Sequence, residues 1–320
     1  MGKKKNDGDI ETELRRLQGD AESFHTSEVT GQREKALHRY YGRPYGNEIE
    51  GRSQITTREV FEAVEWTLPE LLKIFASADD VVSFVPVDED DVAAAKQATD
   101  YINWIFMRKN DGFTIMHHWF KDALVQKNGI VKWWWDEAKE TTKEKYRGVS
   151  EEQAVLMAQQ DPALEFVSFE EVIDDMDGVT LVDTIATFKK RTRKPQPKVE
   201  NVPPEEFIIS RDARDIETAR FCAHRKKVSR SDMLSMGFTK AQLEDVSFTE
   251  NVSENATQRD SIRTARHSVD SSEDFGTSTS GDKSQGMIWL WESYFLSDVD
   301  GDGQGELIKT YSANNKLIEW

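Results

Sequence analysis

Apolar side chains recur every three to four positions between about residues 55 and 124, and beyond Ile130 they alternate or gather in short runs instead. A 3.6-residue rhythm buries one stripe of a helix and a two-residue rhythm buries one face of a strand, so a single chain carrying both in sequence predicts an α+β fold. The helical half is expected to open at Ser53, a helix cap, with Ile55, Val60, Phe61, Val64, Leu68, Leu71, Leu72 and Phe75 on one stripe. Pro69 lies inside that stripe and predicts a kink or a restart, because it removes a backbone donor and crowds the carbonyl four residues back. Val81 to Val85 reads as a short strand. The acids at 88–91 then sit at the start of a second helix through Phe106, where negative charge meets unpaired N–H groups. A third helix spans Phe113 to Leu124, with Asn128-Gly129 as its left-handed carboxyl cap.

From Ile130 onward the expected elements are mostly strands. They fall at Ile130 to Trp135, Glu165 to Ile173, Val179 to Lys190, Lys198 to Val202, Phe207 to Ser210, Phe221 to Val228, Ile288 to Leu296, Glu306 to Tyr311 and Lys316 to Trp320. One helix is expected at Ser150 to Gln160, and Ser229 and Thr239 are placed to cap two short ones. These patterns divide the chain into a mobile polar arm at 1–36, a helical part at 37–135 and a mixed α/β part at 136–246. A disordered insert or long loop at 247–284 and a β-hairpin at 285–320 complete the reading. The insert is expected because apolar residues nearly vanish there, leaving too little burial to offset the entropy of ordering. The hairpin region stops inside an expected strand and reads as truncated.

Charge and composition remove several function classes. The formal net charge of -17 argues against tight, sequence-reading attachment to nucleic acid, which depends on clustered Lys and Arg. It is compatible with a DNA conduit, since a wall of like charge disfavours sticking and salt confines the repulsion to about 8–10 Å. Cys222 is the only cysteine, which rules out an intramolecular disulfide and a cysteine-rich zinc site. In its apolar strand beside Phe221 it is expected to be buried. No stretch approaches the roughly 18 uncharged apolar residues of a membrane span, and 1–9 lacks the apolar run of a signal peptide. A soluble protein made in the cytoplasm, with no membrane partner, is the expectation.

The sharpest chemical motif is Asp298-Val299-Asp300-Gly301-Asp302-Gly303-Gln304-Gly305-Glu306. Alternating acids bring hard oxygen ligands toward one point, Gly303 permits a tight turn and Gln304 can offer its backbone carbonyl, as in the first half of a calcium loop. Asp298, Asp300, Asp302, Gln304 and Glu306 are therefore candidate calcium ligands with a structural role. Lys309 stands where an EF-hand places its bidentate Glu, and the flanks read as strands. The alternative is a Gly-rich hairpin turn with solvated acids. His117-His118 are about 100° apart on a helix and are expected as one packed and one solvated residue. In the strand at 133–135, Trp133 and Trp135 are expected on one face and Trp134 on the other, packing in a core or subunit interface. The basic run at 189–194 is expected as a solvated strand end, with DNA or partner contact as the alternative. No nucleophile elbow, Walker loop, dinucleotide fingerprint or His-Glu-x-x-His is present, so no catalytic residues are assigned.

Arg52-Ser53-Gln54-Ile55-Thr56-Thr57-Arg58-Glu59-Val60 with Glu65-Trp66-Thr67-Leu68-Pro69-Glu70-Leu71 resembles the first helix of tailed-bacteriophage portal proteins. Phe75, Ser77 and the Asp79-Asp80-Val81-Val82 run are similar to that family's continuation, as are the segments at 120–124 and 127–132. Val202-Pro203-Pro204-Glu205-Glu206-Phe207 resembles its Pro-Glu-Phe segment, and Asp298 to Glu306 its Asp-rich hairpin. The resemblance runs from about residue 37 to 320 and implies a structural protein with no reaction and no required cofactor, calcium being the one candidate ion. It further implies a homo-oligomeric ring, usually of twelve, at one capsid vertex of the virion. The implied partners are the terminase large subunit, capsid and scaffolding proteins, head-completion or tail adaptor proteins, and double-stranded DNA passing non-specifically. The matched region corresponds to the family's outer wing, so 37–246 is expected to be wing, with the stem and channel lying elsewhere. Two other classes compete: a calcium-dependent interaction module on the Asp-rich loop, and a metal-dependent hydrolase using scattered carboxylates.

Overall fold

A computed structural model describes residues 5–44, 46, 49, 51, 53, 55–76, 80–136, 139–173, 181–193, 195–244, 246, 262, 266 and 286–320. The expected insert at 247–284 thus lies outside the described residues apart from Ile262 and Arg266. The chain forms two compact units, one from 1–132 with 201–320 and the other from 133–200. The sequence boundaries are redrawn accordingly: the block expected over 136–246 divides at residue 200, and residues 201–246 belong to the larger unit. Helices together with antiparallel sheets make the fold α+β, as expected.

The larger unit opens with α1 (Asp7–Phe24), a π turn (His25–Val29) and α2 (Thr30–Tyr41). This corrects the reading of 1–36 as a mobile arm. Asn6 and Asp9 form a reciprocal capping box that starts α1, and Ile10, Leu14, Gln18 and Ala21 bury one narrow stripe. The stripe covers a five-stranded sheet ordered β10-β9-β8-β7-β6, built from β6 (Phe207–Ile209), β7 (Phe221–Ser229), β8 (Met287–Ser297), β9 (Glu306–Ala313) and β10 (Lys316–Glu319). Strand alternation sends Phe221 and Ala223 of β7, Phe295 of β8 and Ile308 of β9 toward α1. At the other end of β8 the buried positions switch parity: Ile288 and Leu290 pack with Val228, Met233 and Leu243 under two short helices, α7 (Arg230–Met236) and α8 (Lys240–Glu244). One central strand thereby builds two cores, one on each face. Ser229 caps α7 as expected, and the Thr239 amide and hydroxyl are tied to Gln242 at α8. Cys222, on the face opposite Phe221, is half-buried rather than buried.

The expected helices are present as α3 (Glu59–Ala76), α4 (Val92–Trp104) and α5 (Gly112–Gln126). α3 starts six residues after Ser53 and leaves Ile55 exposed, and it continues as one helix through Pro69. Its Val64, Leu68 and Leu72 face Leu37 and Tyr40 of α2 and Met116 and Val125 of α5. The strand expected at Val81 to Val85 does not form. Its backbone donors are claimed by α4: the Asn103 Oδ1 accepts from the amides of Val81 at 2.9 Å and Val82 at 3.0 Å, and the Thr99 hydroxyl accepts from Phe84 at 3.0 Å. A segment whose donors are met by side chains has fewer left for a sheet ladder. The acids at Glu89–Asp91 form a 3-10 turn leading into α4, as expected, and a π turn (Ile105–Lys109) comes after it.

The end of α5 differs from expectation in an informative way. Lys127, not Gly129, takes the left-handed cap, with φ of 73°. Gly129 is instead required by close approach, since a Cβ there would lie 2.5 Å from the Trp119 carbonyl oxygen and against its indole ring. Gly129→Ala is therefore expected to cost about 1–3 kcal/mol through forced displacement of the helix end, read as a lower denaturation midpoint. Gly46→Ala is a poor control because its φ is 82°, whereas Gly19→Ala meets nothing within 4 Å and is expected to be neutral or stabilising.

β1 (Ile130–Asp136) and β5 (Gln196–Val202) pair as a two-stranded sheet. The smaller unit holds a three-stranded sheet ordered β2-β4-β3, from β2 (Lys139–Arg147), β3 (Leu164–Ile173) and β4 (Leu181–Arg193), with α6 (Glu151–Gln160). Ser150 and Gln153 form the capping box of α6, and Ala154 packs with Ala186 and Phe188 of β4. β2 is antiparallel to β4 from Lys139↔Arg193 to Arg147↔Ile185, a strand with little apolar patterning to announce it.

Candidate functional site

The β8–β9 hairpin ends on the pair Ser297↔Glu306, and the Asp-rich loop spans the turn between them. Its backbone is organised by its own carboxylates. Asp298 accepts from the amides of Gly301 at 2.7 Å and Gly303 at 3.0 Å, Asp300 from Asp302 at 3.0 Å, Asp302 from Gln304 at 2.7 Å, and Glu306 from Val299 at 2.8 Å. Gly301 and Gly303 have φ of 80° and 93°, where a side chain is strained, so the glycines let the acids turn back on the loop. One oxygen from each of Asp298, Asp300, Asp302 and Glu306 lies within 4.8 Å of the others. The structure thus brings together the four acids of the expected ligand set. The Gln304 backbone N–H donates to Asp302, a group distinct from the carbonyl expected as its ligand atom.

Four carboxylates in one small volume fit a hard divalent cation, because each retains lone pairs after accepting an amide proton. Lys309 stands apart from this group, donating to Glu292 at 2.9 Å from within β9, so the hairpin lacks the EF-hand's last ligand. The loop is tied to the start of the chain. The Lys5 amide donates to the Val299 carbonyl at 2.9 Å, and its ammonium reaches Ser297 at 2.8 Å and Glu13 at 2.7 Å. For Glu13, burial pushes the carboxyl up, and the hydrogen bonds from Lys5 and Ser297 outweigh that and hold it below the usual range.

A second constellation lies under the Pro-Glu-Phe segment and was not expected. Arg266 donates to Asp122 and to Glu205, both at 2.9 Å, and Asp122 accepts from Asn201 at 3.1 Å. Arg33 on α2, 7% exposed, donates to the Pro204 carbonyl at 2.6 Å. His25 accepts the Ile209 amide proton on Nε2 at 3.2 Å; burial, and then the Arg33 charge, depress its pKa to about 4, so it is neutral at pH 7. These groups come from α2, α5, the π turn and the approach to β6, and their charges are paired by position in space rather than in sequence. They lock the segment into the fold, and nothing in their arrangement supplies a nucleophile with its base.

The remaining candidates separate cleanly. His117 is half-buried and His118 exposed, with ring centroids 5.5 Å apart, as helical spacing requires. Trp133 and Trp135 share one face of β1, 78% and 61% exposed, while Trp134 is half-buried. The outer pair therefore does not pack in a core within the chain. Of the basic run, Lys189 and Lys190 lie on β4, between β2 and β3, with the Lys190 side chain 40% exposed and 3.3 Å from Glu144; the side chains at 191–193 and residue 194 lie outside the described residues. Among the described residues no helix is long and apolar enough to cross a membrane.

A profile of the family described as phage SU10 portal protein matches residues 10–320, nearly the whole chain. The chain belongs to that portal protein family. A search of curated proteins found no match. Portal proteins are structural rather than enzymatic, and membership implies an oligomeric ring among phage head proteins, at a capsid vertex. In this portal chain the segments that carried the resemblance occupy defined places. Glu65 of α3 meets the Tyr40 hydroxyl of α2 and lies 3.0 Å from Lys121 of α5, the segment at 202–207 sits over the buried Arg33–Arg266 constellation, and the Asp-rich hairpin caps the five-stranded sheet.

Proposed function

We propose that this portal subunit closes, with copies of itself, the ring through which double-stranded DNA is packaged and ejected, and that the ring docks the terminase large subunit. Capsid and scaffolding proteins on the head side, and head-completion or tail adaptor proteins on the tail side, complete its partners. The observation that carries this reading is the family match across residues 10–320. The net charge of -17 is compatible with it, because like charge disfavours retention of a passing polyanion. No reaction is assigned to the chain. Electron microscopy of the protein purified from the complete gene tests the reading. Closed rings with a central channel, twelve- or thirteen-fold, are expected, and a persistent monomer would overturn it.

A second reading concerns the hairpin loop and is favoured by the convergence of its four carboxylates. We infer a structural calcium ion there, stiffening the β8–β9 turn rather than catalysing anything. Calorimetric titration is expected to show one site with affinity in the range of about 0.1–1 mM. Asp300→Asn and Asp302→Asn should each abolish the heat while leaving the fold intact, since both side chains are exposed. Absence of heat at millimolar calcium would remove the ion from this account.

A further inference from the structure

α4 is turned inside out. An amphipathic helix normally buries its apolar side, yet the buried residues of α4 are Thr99 and Asn103, occupied in holding the backbone of 81–84. The opposite side carries Ala94, Ala98, Tyr101 and Trp104, with Tyr101 57% and Trp104 49% exposed and their rings stacked at 6.3 Å. That side is a shallow, open surface on which, among the described residues, Gln97 and Asp100 flank Ala94, Ala98, Tyr101 and Trp104 and no other element faces them. A concentrated aromatic patch beside small residues is the composition of an interface core rather than of a solvated surface.

α3 has the matching irregularity. Val64, Leu68 and Leu72 hold one side inward, and the opposite side presents Ala63, Trp66 and Ile74, with Trp66 81% and Ile74 69% exposed. The charges at the helix ends are complementary in one orientation. α3 carries Glu59 and Glu62 at its amino end, and Glu70 and Lys73, which offset each other, toward its carboxyl end, while α4 comes after the acids at Glu89–Asp91 and leads into Arg108 and Lys109. An antiparallel pairing sets Glu59 and Glu62 against Arg108 and Lys109 and leaves the acids before α4 facing the balanced Glu70–Lys73 end. A parallel pairing opposes Glu59 and Glu62 to the acids before α4.

We propose that the outer face of α3 from one copy docks antiparallel on the outer face of α4 from the next, with Trp66 seated beside Ala94, Ala98 and Tyr101. The contact is heterologous, α3 to α4, as a rotationally closed ring requires, and it rests on the ring reading given above. Large aromatic knobs entering a floor of small residues obey the general rule of helix packing.

The test uses the protein from the complete gene. In a Cys222→Ser background, Trp66→Cys and Tyr101→Cys variants are expected to form an intermolecular disulfide when the two are mixed and oxidised, and not when either is oxidised alone. Trp66→Ala is expected to raise the concentration needed for half-assembly at least about 10-fold. Its melting curve in the unassembled state should be unchanged, because the side chain is exposed there. Glu59→Arg should weaken assembly, and adding Arg108→Glu should restore it. Wild-type protein that forms no rings overturns the ring reading and this contact with it. Wild-type rings that persist in Trp66→Ala and give no disulfide in the mixture overturn the α3–α4 contact alone.

Discussion

Replacing Leu14 with alanine is expected to lower the unfolding free energy by about 2–5 kcal/mol, although the residue lies in a stretch whose polarity suggests an arm. Leu14 is 1% exposed and packs in a cluster with Ile10, Phe221, Phe295 and Ile308, so truncation leaves a cavity between α1 and the sheet. Gln18, one turn further on, makes the position harder to relax. Its amide donates to the Ser293 hydroxyl at 3.2 Å and the Ser312 hydroxyl at 3.0 Å, and these buried bonds fix where the helix sits. Arg16→Ala on the exposed side of the same helix is the control, with an expected change within about 0.5 kcal/mol. Chemical denaturation of both variants checks the pair, and equal midpoints would return residues 1–36 to the status of an arm.

The second large effect is expected at Glu292. This β8 carboxylate receives Lys132 from β1, Lys309 from β9 at 2.9 Å and the Tyr294 hydroxyl at 2.6 Å. Burial alone raises its pKa; the hydrogen bond and charge of Lys132, then Tyr294 and Lys309, more than offset that and bring it to about 2. A carboxyl held below its unfolded value stabilises the fold at pH values above that value, near 4.5, and the contribution disappears as pH falls toward 2. Glu292→Gln is therefore expected to cost about 3 kcal/mol at pH 7, because it leaves two lysines without their shared acceptor. The gap between wild type and variant should close between pH 5 and pH 2. A gap that stays constant over that range would mean that shape, not charge, matters at this position.

How much of this was readable in advance depended on where each element's partner lies. α3 and α5 carry wide apolar stripes because they pack on each other and on α2, and wide stripes survive in the sequence as spacing. α1 was missed because its stripe is narrow: Ile10, Leu14 and Ala21 are interrupted by the buried polar Gln18, which is satisfied only by serines far along the chain. The signal present was the Asn6–Asp9 capping box ahead of that stripe. β2 escaped because it has few apolar residues, its pairing being set by β4 rather than by burial. The Asp-rich loop was legible because alternating acids and glycines act on their own backbone within a few residues. The Arg33 and Arg266 constellation was not, since each partner is local to a different element and charge alone does not announce its mate.

The docking of α1 on the sheet also sets a clock. Gln18 and Ser293 are 275 residues apart, and a ribosome adding about 5–20 residues each second needs roughly 14–55 s to cover that distance. Throughout that interval α1 has its apolar stripe uncovered, whereas α3 and α5 are both translated well before it ends. A helix translated so far ahead of its sheet is thus among the last elements to find its place, and its exposure matters most when many copies are being made side by side.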